Sequence, residues 1–550
     1  MSDQEVQVLE KFRLRMTAFV ACCVLVAPAA LAAQDVAGQI EAALAIPDGV
    51  SENAVANTEL EAKIVVPRFY ELRDFEPAWQ EPQAADALFD ALQSGLEQGF
   101  LRQDFHLDEL EILRALSVDG TAANIARFDI LATDAAVTLM HHLFFGKVDP
   151  AALDKDWNFS KPVIQSDPAV VLNQYLEGEG FPALMKRVAL TNTQYMALVD
   201  ALAKYQAIED AGGWPMVPDD EVLKPGMVLP AVAVLRERLA REGFIQNRAF
   251  LTSTTSEDTD AAFIYDDQLV EIVKIFQSRH GLDADGVIGP RTFASFNRPV
   301  EDRINKLRLS LERGRWLMRD LDEEFVLVNI AGARTYLVKS DDTLWTTRSI
   351  TGSEYRKTPV FRDEITYMEF NPTWTVPVSI FRKDKLARIR KDPGYLARNN
   401  YVVRDRNGNQ ISPASVNWAS SNPPVTLVQQ PGPNNALGLV KFMFPNKYAV
   451  YLHDTDNRSL FDRNERNLSS GCVRIEYPFE FANLLMEGDP DWSNAKMQAI
   501  LDSGKTTRVN LPKPMPVLLT YWTAWVEAGE VHFREDPYDR DDAILTALNR

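Results

Sequence analysis

The sequence predicts a multi-domain α+β chain: a helical N-terminal region, a small helical module and a mainly-β C-terminal domain. Three observations lead there. At 550 residues the chain exceeds the roughly 250–300 at which one hydrophobic core stops growing. In the first half, apolar residues recur every three to four positions, as in Ala84, Ala87, Leu88, Ala91 and Leu92, or Phe128, Leu131, Ala135 and Leu139, the mark of a helix with one buried stripe. Beyond residue 320 the period falls to two, over 325–330, 335–338 and 344–350, as in strands whose side chains alternate between faces.

The first element is a leader. Arg13 and Arg15 precede an uncharged apolar run, Met16–Leu31, that ends in Ala30-Leu31-Ala32. A basic start, a short apolar stretch and small residues at the cleavage position make residues 1–32 an expected signal peptide for export. The run is shorter than the roughly 20 residues a spanning helix prefers, so no stable membrane span is expected after cleavage. Cleavage removes three basic and three acidic residues and leaves the net charge at −20, from 58 Lys+Arg against 78 Asp+Glu. Such an acidic balance excludes a nucleic-acid binder, which needs a basic face. Of three cysteines, Cys22 and Cys23 go with the leader and Cys472 stays. That excludes a disulfide scaffold and a cysteine-rich zinc site, and leaves one thiol in an oxidising compartment.

Residues 33–58 are small and polar and read as a flexible lead-in. Residues 59–222 read as a helical scaffold that ends at Gly212-Gly213-Trp214-Pro215. Within it, His141 and His142 are adjacent on one helix, about 100° apart, and poorly placed to share a metal. Residues 223–299 form a module of two short helices, from about Leu229 and Asp266, around a polar loop at 253–260. Residues 300–322 read as a linking helix. Residues 323–512 carry the β pattern, interrupted over 378–440 by what reads as a lid. The lid opens on Phe381–Lys391, with six basic residues and one acid, Asp384; the run reads as a solvated helix face or a patch that steers carboxylates. Residues 513–550 read as a terminal hairpin and tail.

Chemistry concentrates in Tyr451-Leu452-His453-Asp454 and Ser469-Ser470-Gly471-Cys472-Val473-Arg474. A free thiol is only a few per cent thiolate at neutral pH and needs an imidazole to activate it. His453, 19 residues upstream, ends an apolar run that reads as a strand; adjacent strands would bring it to Cys472. The Ser-Ser-Gly turn lets N–H groups face an oxyanion. His532, the histidine downstream of Cys472, is the less favoured partner. Asp454 is placed to orient His453 only if its side chain turns back toward the ring.

His453 with Ser469-Ser470-Gly471-Cys472-Val473-Arg474 resembles the L,D-transpeptidase catalytic domain of the YkuD family, with Ser470 where that motif has a second His. Tyr70-x-x-Arg73-x-x-x-Pro77-x-Trp79, Gly213-Trp214-Pro215, Asn371-Pro372-x-Trp374 and Pro431-Gly432-Pro433-x-Asn435-Ala436-Leu437-Gly438 are similar to its larger, YcbB-type branch. Phe276-Gln277 and Asp285-Gly286-Val287-Ile288-Gly289-Pro290-Arg291-Thr292 resemble a peptidoglycan-binding-like domain.

The resemblance implies a scaffold, a three-helix-type binding module and a β-sandwich catalytic domain with a capping lid. It implies a periplasmic enzyme with Cys472 as nucleophile and His453 as proton carrier. The Gly471 and Cys472 amides would hold the oxyanion, Ser470 would support the loop, and Arg474 would order the loop or meet a substrate carboxylate. The implied partners are tetrapeptide stems of meso-diaminopimelate type, with possible wall-glycan docking; no metal or organic cofactor is implied. The implied product is a 3-3 cross-link with release of D-Ala, and carbapenems should acylate the same thiol. Hydrolysis as an L,D-carboxypeptidase and attachment of an envelope protein to the wall use the same nucleophile. A non-catalytic wall-binding scaffold would not need the His453 and Cys472 pair.

Overall fold

The computed structural model describes residues 35–45, 54–55, 58–117, 120–153, 157–159, 166–245 and 261–550. The leader expected over 1–32, with Cys22 and Cys23, and the polar loop at 253–260 lie outside these residues. The chain divides into two compact units, one reaching residue 147 and resuming before 191, the other holding 148–160 and 192–548.

The first unit is helical. The lead-in expected to be flexible contributes a helix, α1, over 35–44, because Val36, Ile40 and Leu44 recur at four-residue spacing and are buried in the unit's core. It is followed by α2 (Val65–Glu71), α3 (Pro82–Glu97), α4 (Leu107–Ser117), α5 (Ala122–Phe145), α6 (Pro168–Glu177) and α7 (Phe181–Val188). Helix α5 is apolar nearly all round and is the buried centre. Its Asp129 carboxylate accepts from the Tyr70 hydroxyl at 2.7 Å and from the Ala78 and Trp79 N–H groups at 2.8 Å. Trp79 Nε1 donates to Thr133 at 2.9 Å, and Arg73 to Asn173 at 2.9 Å. The Tyr70–Trp79 motif therefore ties a loop to α5 by satisfying a buried carboxylate. His142 packs against Phe100 and Phe105, and His141 against Phe145.

The second unit takes in a short strand, Trp157–Asn158, and then α8 (Thr193–Asp210), which the sequence assigned to the scaffold. Next come α9 (Pro230–Glu242), α10 (Asp267–Arg279) and α11 (Pro290–Phe296), the small module with its own core. Helix α12 (Val300–Leu317) follows. It is no linker: its Arg303, Lys306, Arg308, Glu312, Arg313 and Arg315 are buried. Buried charges need partners. Arg313 pairs with Asp541 at 2.7 Å, and Arg315 with Glu312 at 2.9 Å and with the Tyr195 hydroxyl of α8 at 3.0 Å.

Ten strands form one mixed sheet: Trp157–Asn158 at its edge, β1 (Glu324–Asn329), β2 (Arg334–Lys339), β3 (Asp342–Gly352), β4 (Val360–Phe370), which the Trp157–Asn158 strand flanks in parallel, and five more beyond an insertion. The insertion holds a four-stranded sheet of β5 (Trp374–Thr375), β6 (Tyr401–Arg404), β7 (Gln410–Ile411) and β8 (Thr426–Gln429) over its own core of Trp374, Phe381, Leu386, Tyr401 and Leu427. The lid thus starts before 378, and Val440 already belongs to β9 (Val440–Met443) of the main sheet. Then come β10 (Leu452–His453), β11 (Asn467–Ser469), which pairs beside β3, β12 (Val473–Ile475) and β13 (Thr507–Thr520).

The main order is β9-β10-β12-β3-β2-β1-β13-β4, and β4 pairs again with β9. The strands thus wrap into a closed circuit instead of stacking as two separate sheets. Val326, Val328, Val440, Phe442, Leu452, Val473, Ile475 and Val517 fill one face. Because β13 lies between β1 and β4, the boundary expected at 512 cuts through a strand of the main sheet. The terminal hairpin forms from β14 (Ala524–Glu527) and β15 (Glu530–Phe533), with Ala528 and Gly529 at φ +51° and +77°. Among the described residues no helix is long and apolar enough to cross a membrane.

Candidate active site

The site follows from one register. Strands β10 and β12 pair in parallel, Leu452 opposite Val473 and His453 opposite Arg474. One step earlier, the Val473 N–H donates to the Tyr451 carbonyl at 3.1 Å, which sets Tyr451 beside Cys472. Side chains alternate along a strand. Leu452 and Val473 point into the core, so Tyr451, His453, Cys472 and Arg474 share the outer face. His453 and Cys472 are diagonal neighbours, a relation that spans roughly 7–8 Å and lies within reach of long side chains. Across β9 the same row continues as Lys441, opposite His453 and paired with Glu369 at 2.9 Å.

His453 is 3% exposed. Its Nδ1 lies against the Asp454 main-chain carbonyl. A carbonyl only accepts, so the proton sits on Nδ1 and the Nε2 lone pair is left for chemistry. Burial, and then the Arg474 charge, lower the ring to about 3, against the Asp454 and Leu437 carbonyls. Asp454 thus orients His453 through its carbonyl, not its carboxylate. The carboxylate instead accepts from the Leu439 N–H at 2.9 Å and Arg458 at 2.8 Å. Gly438, at φ +63°, leaves room for it; a Cβ there would collide with the Asp454 side chain.

Cys472 is half-buried, and its Sγ donates to the Ala449 carbonyl at 3.7 Å. Ala449 holds φ +55°, in a turn pinned by Asn446 Oδ1, which accepts from the Tyr448 and Val450 N–H groups at 3.0 and 3.2 Å. Tyr451, set beside Cys472 by the strand pairing, favours the thiolate. Burial pushes the thiol above its ordinary value, opposed by Tyr451 and Arg474. Neutral thiol and neutral imidazole are therefore the resting forms. Among the described residues no hydrogen bond joins His453 to Cys472.

The Ser469–Cys472 loop holds itself together. The Gly471 N–H donates to Ser469 Oγ at 3.1 Å, and that hydroxyl donates to the Cys472 carbonyl at 2.6 Å. The Gly471 amide is therefore spent inside the loop, while the Cys472 N–H has no acceptor among the described residues. Gly471 is required for its φ of +121°, not for space. Ser470 is exposed and accepts from Arg356 at 2.7 Å. Arg474 has a buried Nε without an acceptor and lies near the Asp456 charge.

His532 lies elsewhere, stacked on Trp525 with ring centroids 5.2 Å apart. Tyr451 carried no assigned role, although a strand residue two before His453 shares its face. Among the described residues no group of three His, Cys, Asp or Glu is placed to hold a metal. In the small module, Gln277 donates to Asp285 and to the Val287 carbonyl at 3.1 and 3.0 Å and accepts from the Gly286 N–H at 2.9 Å. The signature glutamine thus holds its own loop. It borders an open groove of about 220 Å³ with Asp283, Arg291 and Thr292.

Residues 323–492 match the YkuD family, described as the L,D-transpeptidase catalytic domain. Residues 65–202 match a scaffold domain and 229–295 a "Putative peptidoglycan binding domain". A curated relative from Haemophilus influenzae, named "Putative L,D-transpeptidase", is 36% identical over 223 residues. The match covers 40% of this chain and 45% of that protein, so the chain spans under half of the relative's length. Solved structures of an L,D-transpeptidase from Mycobacterium smegmatis (13% identity, 36% of this chain and 58% of that one) and another from Xylanimonas cellulosilytica (16%, 55% and 98%) each superpose with a TM-score of 0.17, too slight a likeness to build on. The outer-face site thus lies inside the stretch that matches the L,D-transpeptidase catalytic domain, in a chain that also matches a scaffold domain and a peptidoglycan-binding domain.

Proposed function

We propose that the protein cross-links peptidoglycan stems by acyl transfer through Cys472. The observation that carries this reading is the β10–β12 register, which sets thiol, imidazole and guanidinium on one face beside an unclaimed amide. In the step we infer, Sγ turns from the Ala449 carbonyl and attacks the carbonyl joining the L-centre of meso-diaminopimelate to D-Ala. His453 Nε2 takes the thiol proton as the S–C bond forms. The tetrahedral oxyanion is held by the Cys472 N–H, not by Gly471. Collapse breaks the C–N bond, the imidazolium returns the proton to the leaving amine, and D-Ala departs from a thioester. The side-chain amine of a second stem then displaces the thiol with the proton transfers reversed, giving a 3-3 cross-link.

Arg474, unpaired at Nε beside the thiol, suits a stem carboxylate. The groove on the small module suits wall glycan or stem peptide, and we infer a periplasmic site of action, a reading that the matches to a wall-acting family support. Incubation with a disaccharide-tetrapeptide, read by mass spectrometry, tests the reading. A dimer lacking one D-Ala supports it; tripeptide alone would assign hydrolysis. No product, with Cys472 also unmodified by a carbapenem, would refute acyl transfer.

A further inference from the structure

The β3–β4 connection runs alongside the nucleophile loop and grips it residue by residue. The Ser353 N–H donates to the Ser469 carbonyl at 3.0 Å. Arg356 Nη1 donates to Ser470 Oγ at 2.7 Å. Thr358 Oγ1 donates to the Gly471 carbonyl at 2.8 Å. The middle grip also reaches outward: Arg356 Nη1 and Nη2 donate to the two Asp384 oxygens at 2.7 and 3.0 Å.

Asp384 is the one acid in the basic opening of the cap, in a π-helical turn, Phe381–Lys385. Such turns are rare and concentrate at functional sites. Isolated surface ion pairs are weak, but a bidentate guanidinium within a network is the exception. The same contact defines Ser470. Its oxygen accepts from Arg356, so its own O–H is directed away from the guanidinium.

We propose that Arg356 is a positioning residue that couples the cap to the nucleophile loop, through Asp384 on one side and Ser470 on the other. The arrangement makes the placement of the loop depend on the cap being seated. Lysine cannot replace it, since one ammonium lacks the planar fork that serves both partners at once.

The coupling is tested on the full-length protein without substrate, by hydrogen exchange. Asp384→Asn, which touches no loop atom, should raise exchange at residues 470–473 by about tenfold, and Ser470→Ala should do the same at 381–385. In the Arg356→Lys background both cross-effects should vanish. If each substitution changes exchange only in its own segment, or if the cross-effects persist in that background, the proposal fails. The catalytic consequence rests on the transpeptidase reading. Asp384→Asn should lower the rate of D-Ala release with little change in KM, whereas loss of KM alone would contradict positioning. An inactive wild-type enzyme with intact exchange coupling would sink that reading and spare this one.

Discussion

Burial acts on Cys472 and His453 in opposite directions: it keeps the thiol protonated and the ring unprotonated. Alkylation of Cys472 by iodoacetamide should therefore climb through pH 9 with no plateau near pH 6; such a plateau would reveal a resting thiolate–imidazolium pair. The ring also links pH to stability. Its folded value of about 3 lies below the ordinary 6.5, so the unfolded chain binds more protons between those values. This contribution is complete above pH 6.5 and is lost as pH falls toward 3. In His453→Gln the corresponding slope of a urea titration should flatten. The same substitution should slow acylation by roughly 10²–10⁴, the usual worth of a positioned base, and Cys472→Ala should abolish it. Cysteine, histidine and arginine were legible in the sequence because their residue types name their chemistry. The loss of the Gly471 amide to Ser469 was not, since the competing acceptor is a side chain two residues away.

At the scale of elements, the site is a parallel strand pair whose register is set by what surrounds it. Period two already placed Tyr451 and His453 on one face. That β12 is the neighbour of β10 depends on long-range pairing with β3 and β9, which no local pattern reports. Arg356 lies still further out of view: a lone arginine in a turn carries no signal until Ser470 and Asp384 close on it. Gly438 shows how a motif residue serves geometry. Gly438→Ala combines a positive φ with a collision at Asp454, and should lower stability by about 1–3 kcal/mol in chemical denaturation, with His453 losing its Leu437 and Asp454 carbonyls together. An unchanged midpoint would show that the turn relaxes. The expected basic patch is partly spent inside the cap: Arg390 donates to the Trp418, Ala419 and Ser420 carbonyls, Arg382 to Asn422, and Lys385 lies over the Trp374 and Tyr401 rings.

At the scale of the whole molecule, the small module is tied to α8 and the segment after it by buried charge. Glu242 pairs with Arg238 at 2.7 Å and accepts from the Tyr205 hydroxyl at 2.7 Å, and Arg238 stacks on Trp214, 3.6 Å from the ring. Removing one member of such a pair strands the other, so Glu242→Ala should cost about 3–5 kcal/mol and lower the melting temperature of the full chain. The sequence separated helical from β regions by period alone, because that pattern is local. It misplaced α12 and β13, whose partners lie far along the chain. A chain ending at 512 should accordingly leave the second unit unfolded, since it lacks the half of β13 that pairs with β1.

The claim on which the rest depends is that Cys472 forms a thioester with the stem. Mixing the protein with a disaccharide-tetrapeptide and quenching in acid, followed by intact-mass and peptide mapping, should find the stem less D-Ala on Cys472, and nothing on Cys472→Ala. A folded protein that releases D-Ala while Cys472 stays unmodified at every quench time, or that still turns over as Cys472→Ala, would contradict it.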